Sequence, residues 1–362
     1  MTEDQIELPI SANEDILPYL DSSDIITYSN AVDIILSSAC RNQCTYCSFG
    51  GRQKDLVVPY STIKVFKAAR KAGAREANIV SGERPDRFHG IRAKFDVWGF
   101  NSYIEYIYTI SELAFLEGLL VNLNVGFLSL SEMKYLSDIV ATVECNLESL
   151  RTDLMGENQV HEFAPSKDPQ IRIKFLENAG KLNLPVITGL LVGIGESPED
   201  RIATLMKIKE IHEEYGNVQL VRIVPCLPVD VNTVLVPGSD LYQHTLETIR
   251  IARELLPNEV DITTTVNAFP DVMTLIEHGV TDLGEIRVYG RDCIHTALPF
   301  RPLDEYQQVI ENNQYRFLKR LPIKNGYILV QKYSKKLGQF LDKYKIRLKE
   351  STKDDKFTLV AL

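Results

Sequence analysis

Residues 31–47 read AVDIILSSACRNQCTYC, a short apolar run followed at once by three cysteines. The run at 32–37 is rich in branched apolar residues, which predicts a buried strand. Cys40, Cys44 and Cys47 then fall in one loop, with three and two residues between them. The sequence therefore predicts a strand whose carboxyl end carries three thiols close together.

The same alternation of apolar run and amphipathic segment continues along the chain. Further runs predict strands at residues 77–81, 119–125, 139–147, 185–193, 218–224, 260–266 and, less regular, 283–288. Apolar residues three and four apart predict helices at 61–71, 102–117, 129–137, 169–181, 198–215, 241–256 and 272–278. Several of these helices begin after Ser or Asp, which are favoured helix caps.

Eight strand–helix alternations predict an α/β fold with parallel strands and crossover helices. No glycine-rich dinucleotide turn follows the first strand, which favours a closed (β/α)8 barrel of the TIM type over an open sheet. We expect a leader at 1–28, the barrel at 29–313, and a C-terminal extension at 314–362 with a strand at 327–330 and a basic helix near 332–345. In such barrels the active site lies at the carboxyl ends of the strands.

The composition argues against several classes of protein. The 362 residues carry a formal net charge of −9 with no basic stripe, so nucleic acid is not an expected partner. No apolar run reaches the roughly 18 residues that a membrane span needs. The first residues, MTEDQIELPISANED, are acidic and polar, unlike a signal peptide. We expect a cytoplasmic protein whose six cysteines stay out of disulfides.

The cysteine loop predicts an iron–sulfur site. Three thiolates can hold a 4Fe–4S cluster with its fourth iron open, and an open iron can chelate the amino and carboxylate groups of S-adenosylmethionine (SAM). An electron passed through such a cluster splits SAM into methionine and a 5′-deoxyadenosyl radical. The alternatives are a structural zinc site, which would need a fourth ligand although neither His nor Cys follows before His89, and three buried apolar cysteines, which fit poorly beside Arg41, Asn42 and Gln43.

The loop is identified as the C-x3-C-x2-C signature of radical SAM enzymes, and other stretches resemble one family among them. This family is the CofG type, the 7,8-didemethyl-8-hydroxy-5-deazariboflavin synthase subunit. The resemblance covers roughly residues 26–323 and is most specific over 166–216. The matching stretches are ITYS at 26–29, GERPDR at 82–87, SKDP at 166–169, TGLLVGIGE at 188–196, HEEYG at 212–216 and RLPI at 320–323.

This resemblance implies an activity and its partners. Enzymes of the family join a tyrosine-derived hydroxybenzyl group to a ribitylaminouracil-derived ring, acting on the adduct that CofH makes. The chain would then be a radical SAM lyase or synthase that forms a deazaflavin and releases ammonia. Its cofactors would be a 4Fe–4S cluster and SAM, its partners a small-molecule substrate, a CofH-like protein, and an electron donor such as ferredoxin or flavodoxin. A non-catalytic iron–sulfur or zinc protein is the alternative from another class.

The resemblance also implies which residues bind SAM. Ser81, Gly82 and Glu83 end the second strand, where carbonyl groups and a carboxylate would accept hydrogen bonds from the SAM ammonium group. The alternative is a glycine turn with a solvated glutamate. Tyr46 lies between two cysteines and would pack on adenine or shield the cluster.

Four later residues complete this predicted SAM site. Glu148 would accept hydrogen bonds from the ribose hydroxyls, the alternative being a surface glutamate. Arg172 would bind the SAM carboxylate, the alternative being a solvated helix arginine. Gly189 and Gly193 would let adenine lie against the fifth strand, the alternative being ordinary barrel packing.

The match to the family fails at four later strand ends. There the family has a Met-rich segment, then Gln-Asn-Phe, Pro-Pro-Asn and Asp-His-Val-Asn-Pro. This chain instead has VECN at 143–146, PCL at 225–227, TVN at 265–267 and DCIHT at 292–296. Because later strand ends usually recognise the substrate, a CofG-like paralogue with the same SAM half and another substrate is the second interpretation.

Cys145, Cys226 and Cys293 fall at three of these departures. They are either small buried residues or the ligands of a second cluster or a catalytic thiol. We expect all three to flank one cavity opposite the cysteine loop.

Overall fold

The computed structural model describes residues 24–49, 55–227, 234–290, 298, 300–330 and 333–354. Nine parallel strands form one sheet. The strands are β1 (Ile25–Ile35), β2 (Glu76–Val80), β3 (Leu120–Asn124), β4 (Val140–Glu144), β5 (Val186–Val192), β6 (Val218–Pro225), β7 (Asp261–Thr264), β8 (Asp282–Tyr289) and β9 (Arg316–Arg320). The helices are α1 (Pro59–Lys71), α2 (His89–Trp98), α3 (Tyr103–Leu116), α4 (Leu130–Leu136), α5 (Pro169–Lys181), α6 (Pro198–Tyr215), α7 (Asp240–Leu255), α8 (Val272–Glu277), α9 (Leu303–Asn312), α10 (Asn325–Val330) and α11 (Lys335–Asp354).

The first eight strands curl into a nearly closed barrel. Their order is β7-β6-β5-β4-β3-β2-β1-β8, so β7 and β8 meet at the seam. In the described part of the chain no backbone ladder joins these two strands, but Thr281 N donates to Ile262 O (3.0 Å) across the gap. The predicted (β/α)8 barrel is confirmed, and its least regular strand, 283–288, is present as β8.

β1 is long enough to pair with three strands. Residues 31–35 pair with β2, and residues 25–29 pair with β9 along the same edge. β8 occupies the other edge of β1. Thus β1 begins within the stretch predicted as a leader, and β9, from the predicted C-terminal extension, belongs to the main sheet.

The run at 327–330 is a helix, so the predicted strand there is wrong. A short apolar run suits a strand or a buried helix equally well. Here Tyr327 donates its hydroxyl hydrogen to Val218 O (2.7 Å) and Ile328 is fully buried, so α10 packs at the amino end of β6. The predicted basic helix is present as α11.

Serine caps fix where several helices begin. The hydroxyl groups of Ser102, Ser129, Ser197 and Ser239 accept backbone N–H groups at the starts of α3, α4, α6 and α7. Since each helix follows a loop at the carboxyl end of the barrel, these caps also fix the loops that surround the site. No helix in the described residues is both long and apolar enough to cross a membrane.

Candidate active site

The cysteine loop is tied to two other loops at the carboxyl end of the barrel. Arg41 N donates to Glu83 O (2.9 Å), in the turn after β2. Thr45 N donates to Val160 O (3.2 Å), in the segment that follows β4. The loop is therefore held by backbone hydrogen bonds from both sides, whatever its side chains bind.

Cys40, Cys44 and Cys47 line one cavity at the carboxyl ends of the strands. The Sγ of Cys40 accepts hydrogen bonds from the backbone N–H groups of Asn42 (3.4 Å) and Glu83 (3.2 Å). Burial raises the pKa of the Cys40 thiol, and these two donors partly offset burial by stabilising the thiolate, which is the form that binds a metal.

Three thiols in one loop are the donor set that a cubane cluster takes. Among the described residues, no three His, Cys, Asp or Glu side chains converge closely enough to hold one metal ion. In a 4Fe–4S cluster each cysteine binds a different iron, so its three thiolates stand apart. Gly82 is also required by this packing, because a Cβ there would lie 2.2 Å from Ala39 O, beside the cysteine loop.

Glu83 is buried beside the loop and is not the solvated glutamate of the alternative. Its side chain is 3% exposed. Oε2 accepts from Phe127 N (3.1 Å) and lies 3.8 Å from Arg172 Nη2. Within the described residues Oε1 is buried without a hydrogen-bond partner, which leaves an acceptor for a cationic ligand. Ser81 and Gly82 line the same part of the cavity.

Glu148 is the centre of a buried polar group rather than a surface residue. Its backbone has a φ of 67°, in the left-handed region. Its carboxylate bonds to Lys167, accepts from Tyr46 Oη (2.6 Å) and lies 3.3 Å from Nε2 of His161. Burial opposes ionisation, but Lys167, His161 and Arg172 hold the pKa of Glu148 well below its ordinary value. Tyr46, predicted to contact adenine or the cluster, orients this carboxylate.

Arg172 is buried, 5% exposed, and so is not a solvated helix residue. Its Nε donates to Ser166 O (2.7 Å) and its Nη1 to Cys145 Sγ (2.7 Å). Cys145 is thus placed behind Arg172 and is not among the described residues that line the cavity. Cys226 does line it, and Cys293 lies outside the described residues. The prediction that three cysteines flank one cavity is therefore wrong for Cys145.

The two predicted glycines of β5 and its loop are not among the described lining residues. A Cβ on Gly189 would lie 2.0 Å from Arg222 O, so Gly189 allows β5 to approach β6. Gly193 has a φ of 95°, and its N–H donates to Glu196 Oε1 (2.9 Å). Close packing and a tight turn explain both residues.

The other end of the cavity rests on a feature that sequence reasoning missed, which we call the polar ring. Its members, from six strands, are Asp33, Asn78, Asn122, Glu144, Arg222, Glu285 and Arg287. Consecutive contacts close a circle inside the barrel: Asp33–Asn78 (2.9 Å), Asn78–Asn122 (3.4 Å), Asn122–Glu144 (3.1 Å), Glu144–Arg222 (3.3 Å), Arg222–Glu285 (3.0 Å), Glu285–Arg287 (3.8 Å) and Arg287–Asp33 (3.0 Å).

The sequence carries a signal for this ring. Barrel interiors of this type are usually filled by Val, Ile and Leu. Arg222 instead interrupts the apolar strand VQLVRIVP, and Glu285 and Arg287 alternate in DLGEIRVY. Charged residues spaced two apart in a barrel strand share one face, and here that face points inward.

The charged side chains that line the cavity form two balanced sets. The cysteine end has Glu83, Glu148, Lys167 and Arg172, and the ring end has Glu144, Glu285, Arg222 and Arg287. Three of the four strand ends at which the chain departs from the CofG pattern also face this cavity, and the fourth, residues 292–296, lies outside the described residues. They contribute Glu144, Asn146 and residues 225–227 and 265–267 to its lining.

Comparison with known proteins agrees with this architecture. The Radical SAM superfamily model matches residues 34–208. Proteins named 7,8-didemethyl-8-hydroxy-5-deazariboflavin synthase are similar to most of the chain. That of Archaeoglobus fulgidus is 33% identical over 310 residues, covering 85% of this chain and 93% of its own length. That of Methanoculleus marisnigri is 32% identical over 304 residues, covering 83% and 88%.

Solved structures show the same fold. The FeFe-hydrogenase maturase HydG from Carboxydothermus hydrogenoformans superposes with a TM-score of 0.63 at 18% identity, over 96% of this chain and 81% of its own. Methylornithine synthase (PylB) gives a TM-score of 0.59 at 15% identity, over 84% of this chain and 85% of its own. At these identities the likeness concerns the fold alone.

Proposed function

The chain belongs to the 7,8-didemethyl-8-hydroxy-5-deazariboflavin synthase family of radical SAM enzymes, and we propose that it performs the deazaflavin-forming step itself. The substrate would be the adduct of a tyrosine-derived hydroxybenzyl group with ribitylaminouracil, and ammonia would leave. One observation carries the proposal: the three cysteines of the loop and five of the seven residues of the polar ring line a single cavity at the carboxyl ends of the barrel strands.

In this proposal the cysteine end holds the cofactors. Cys40, Cys44 and Cys47 would bind the 4Fe–4S cluster, which when loaded with SAM and reduced supplies the 5′-deoxyadenosyl radical. Glu83 would accept a hydrogen bond from the SAM ammonium group through Oε1, which lies 4.0 Å from Arg41 Nη1 and has no hydrogen-bond partner among the described residues. Arg172, whose guanidinium reaches toward Glu83, would pair with the SAM carboxylate.

Glu148 would hold the ribose of SAM. Its two oxygens already contact Lys167, Tyr46 and His161. An ionised carboxylate has about four lone-pair sites, so it can accept further hydrogen bonds from hydroxyl groups. The three protein partners keep Glu148 charged and fixed in position, which favours accepting from both hydroxyls at once.

The second candidate is a paralogue of the family that uses the same SAM half on another substrate. The observation that favours it is that departures from the family pattern, including Glu144 and Cys226, line the cavity. A CofH-like partner belongs to the first candidate alone, whereas both candidates would need an electron donor such as ferredoxin or flavodoxin.

One experiment separates these functions. The protein is reconstituted with iron and sulfide without oxygen, then incubated with SAM, dithionite and the CofH adduct. Deazaflavin fluorescence together with 5′-deoxyadenosine is the expected result. 5′-Deoxyadenosine without deazaflavin would favour the paralogue, and the absence of both from fully loaded protein would contradict any radical SAM activity.

A further inference from the structure

His161 is a buried residue that contacts the SAM site without lining the cavity. It is 2% exposed and is not among the described residues of the cavity lining. Its Nε2 lies 2.9 Å from the hydroxyl oxygen of Tyr46 and 3.3 Å from Oε2 of Glu148. The Tyr46 hydroxyl in turn lies 2.6 Å from the same Oε2. The three side chains therefore form a closed triangle at the carboxylate that would hold the ribose.

The chemistry of these three side chains fixes where their hydrogen atoms point. Glu148 is ionised, since its pKa lies well below the ordinary value, and a carboxylate only accepts hydrogen bonds. The single hydroxyl hydrogen of Tyr46 is therefore directed to Glu148, which leaves only lone pairs on that oxygen for His161. Nε2 of His161 must carry a hydrogen, which it directs to Tyr46 and Glu148. Because a hydroxyl hydrogen rotates to suit its partners, His161 keeps that of Tyr46 on Glu148.

The backbone around His161 joins this triangle to the cysteine loop. His161 N donates to Leu154 O (2.9 Å), and the neighbouring Val160 O accepts from Thr45 N (3.2 Å) in the cysteine loop. Tyr46 belongs to the same loop, and its ring packs edge-on against the His161 ring, with centroids 5.6 Å apart. His161 therefore connects the loop that would bind the cluster to the carboxylate that would bind the ribose.

The remaining partner of Glu148 holds it less rigidly. Lys167 bonds to Oε1 of Glu148 through a flexible four-carbon chain, and its side chain is 13% exposed. The side chain of His161 is a rigid ring and is 3% exposed. Without His161, the Tyr46 hydroxyl could rotate away and Oε2 of Glu148 would lose two of its constraints.

We propose that His161 is a positioning residue for SAM, whose Nε2–H holds the Tyr46 hydroxyl and Glu148 Oε2 so that the ribose hydroxyls meet a fixed acceptor. The inference rests on the proposed function, which places the ribose at Glu148. His161 does not touch SAM. It lowers the conformational entropy that Glu148 would otherwise lose when SAM binds, and such preorganisation strengthens binding.

The test measures how strongly each protein recognises the ribose hydroxyls. Reconstituted full-length protein is kept oxidised, so that SAM stays intact, and is dialysed to equilibrium against SAM or its 2′-deoxy and 3′-deoxy analogues. The deoxy penalty is the Kd of an analogue divided by the Kd of SAM. In the wild type it should be roughly tenfold or more, as for a hydrogen bond to a charged group.

Two variants of His161 should change this penalty in different ways. In His161→Phe the deoxy penalty should fall to about threefold, because Glu148 is no longer held for the hydroxyls. In His161→Gln it should stay near the wild-type value, since the amide nitrogen can take the place of Nε2 as a donor. If His161→Phe does not assemble its cluster, His161→Asn, whose shorter amide does not reach that place, is used instead.

His212→Phe is the matched control. His212 is also buried, and its Nε2 lies 3.5 Å from Oε1 of Glu259. It lies in the last turn of α6, and Glu259 precedes β7, so this pair stands at the amino end of the barrel. Its deoxy penalty should equal that of the wild type. An iron content of about four per chain verifies that each protein carries its cluster.

The outcomes separate this inference from the proposed function. If His161→Phe weakens SAM and both analogues by one common factor, the deoxy penalty is unchanged, His161 only supports the fold, and the inference is overturned. A wild type without any deoxy penalty would contradict the placement of the ribose at Glu148, and this inference with it. Deazaflavin formation is measured on the same wild-type sample. A penalty that depends on His161 without deazaflavin formation would contradict the proposed reaction and leave the role of His161 standing.

Discussion

The two ends of the cavity are built in different ways. At the cysteine end, the three thiols lie within eight residues of one loop, and Glu83, Glu148 and Arg172 join them from neighbouring loops and a helix start. At the ring end, every contact except Glu285–Arg287, which lies within β8, joins residues from different strands. The comparison shows that the cysteine end is encoded largely by residues close together in the sequence, whereas the ring end is assembled by the barrel from residues far apart along the chain.

The largest expected effect is at the cysteine end. Replacing Cys40, Cys44 or Cys47 with Ala should abolish the absorbance near 400 nm or leave the cluster labile, because only these three thiolates are proposed as ligands. SAM cleavage should stop. The measurements are the visible spectrum, the iron content and 5′-deoxyadenosine formation after anaerobic reconstitution.

Cys226→Ala is the matched control for the cluster, since Cys226 lines the same cavity outside the cysteine loop. It should keep about four irons per chain, as one 4Fe–4S cluster requires. An intact cluster in the variant that lacks all three of these cysteines would contradict the ligand assignment. About eight irons per wild-type chain would support the hypothesis of a second cluster.

The next effect is on stability at the ring end. Glu285→Gln removes the carboxylate that pairs with Arg222 (3.0 Å), and this carboxylate is 2% exposed. Removing one member of a buried ion pair leaves the other uncompensated, so the free energy of unfolding should fall by about 3–5 kcal/mol. Urea unfolding followed by circular dichroism measures it.

Glu254→Gln provides the control, because Glu254 pairs with Arg250 on the exposed face of α7. Exposed ion pairs contribute about 0–1 kcal/mol. If both variants lose the same small amount of stability, the buried Glu285–Arg222 pair contributes no more than an exposed ion pair.

A smaller effect concerns SAM affinity. Ala at Glu83, Glu148 or Arg172 should each weaken SAM binding by about 1.5–3 kcal/mol, the range for hydrogen bonds to charged groups. The cluster should still assemble, as judged by its absorbance. Glu199→Ala, at an exposed position of α6, should bind SAM like the wild type. Unchanged SAM affinity in all three site variants would contradict this placement of the SAM site.

A further prediction is a pH dependence of stability at the start of β2. Glu76 is fully buried, and both its oxygens lack a hydrogen-bond partner among the described residues. Burial and the nearby Glu285 carboxylate raise the pKa of Glu76 from 4.5 to about 8. The folded chain therefore holds this proton more tightly than the unfolded chain, and the resulting stability is lost as pH rises from 4.5 through 8.

Glu76→Gln cannot ionise and should not show this loss. Between pH 5 and pH 9 the Tm of the wild type should fall by several degrees more than the Tm of Glu76→Gln. Parallel pH curves for the two proteins would mean that Glu76 is ionised in the fold across this range.

The sequence predicted most of the barrel because strand and helix periodicities are local properties. It predicted the cysteine loop for the same reason, since the three ligands are close neighbours along the chain. Arg222 and Glu285, by contrast, are 63 residues apart and meet only when β6 and β8 face each other across the barrel. His161 was missed similarly, because its contact with Glu148 depends on how the loop after β4 turns back.

Prediction from local sequence patterns failed where one pattern is compatible with two different structures. The apolar run at 327–330 predicted a strand, and packing against the barrel made it α10. Cys145 looked like Cys226 in the sequence, each directly after a strand. The side chain of Cys145 contacts Arg172, while that of Cys226 reaches the cavity.

The pairing of β1 with β9 has a consequence for the order of folding. As the chain is synthesised, β2 and β8 are both made before β9, so the edge of β1 along residues 25–29 stays open until residues 316–320 emerge. An open strand edge is a template for pairing with other chains, and contacts between distant segments form slowly. Covering this edge of β1 is therefore a late event in folding, and protection of nascent chains by chaperones should matter most in that interval.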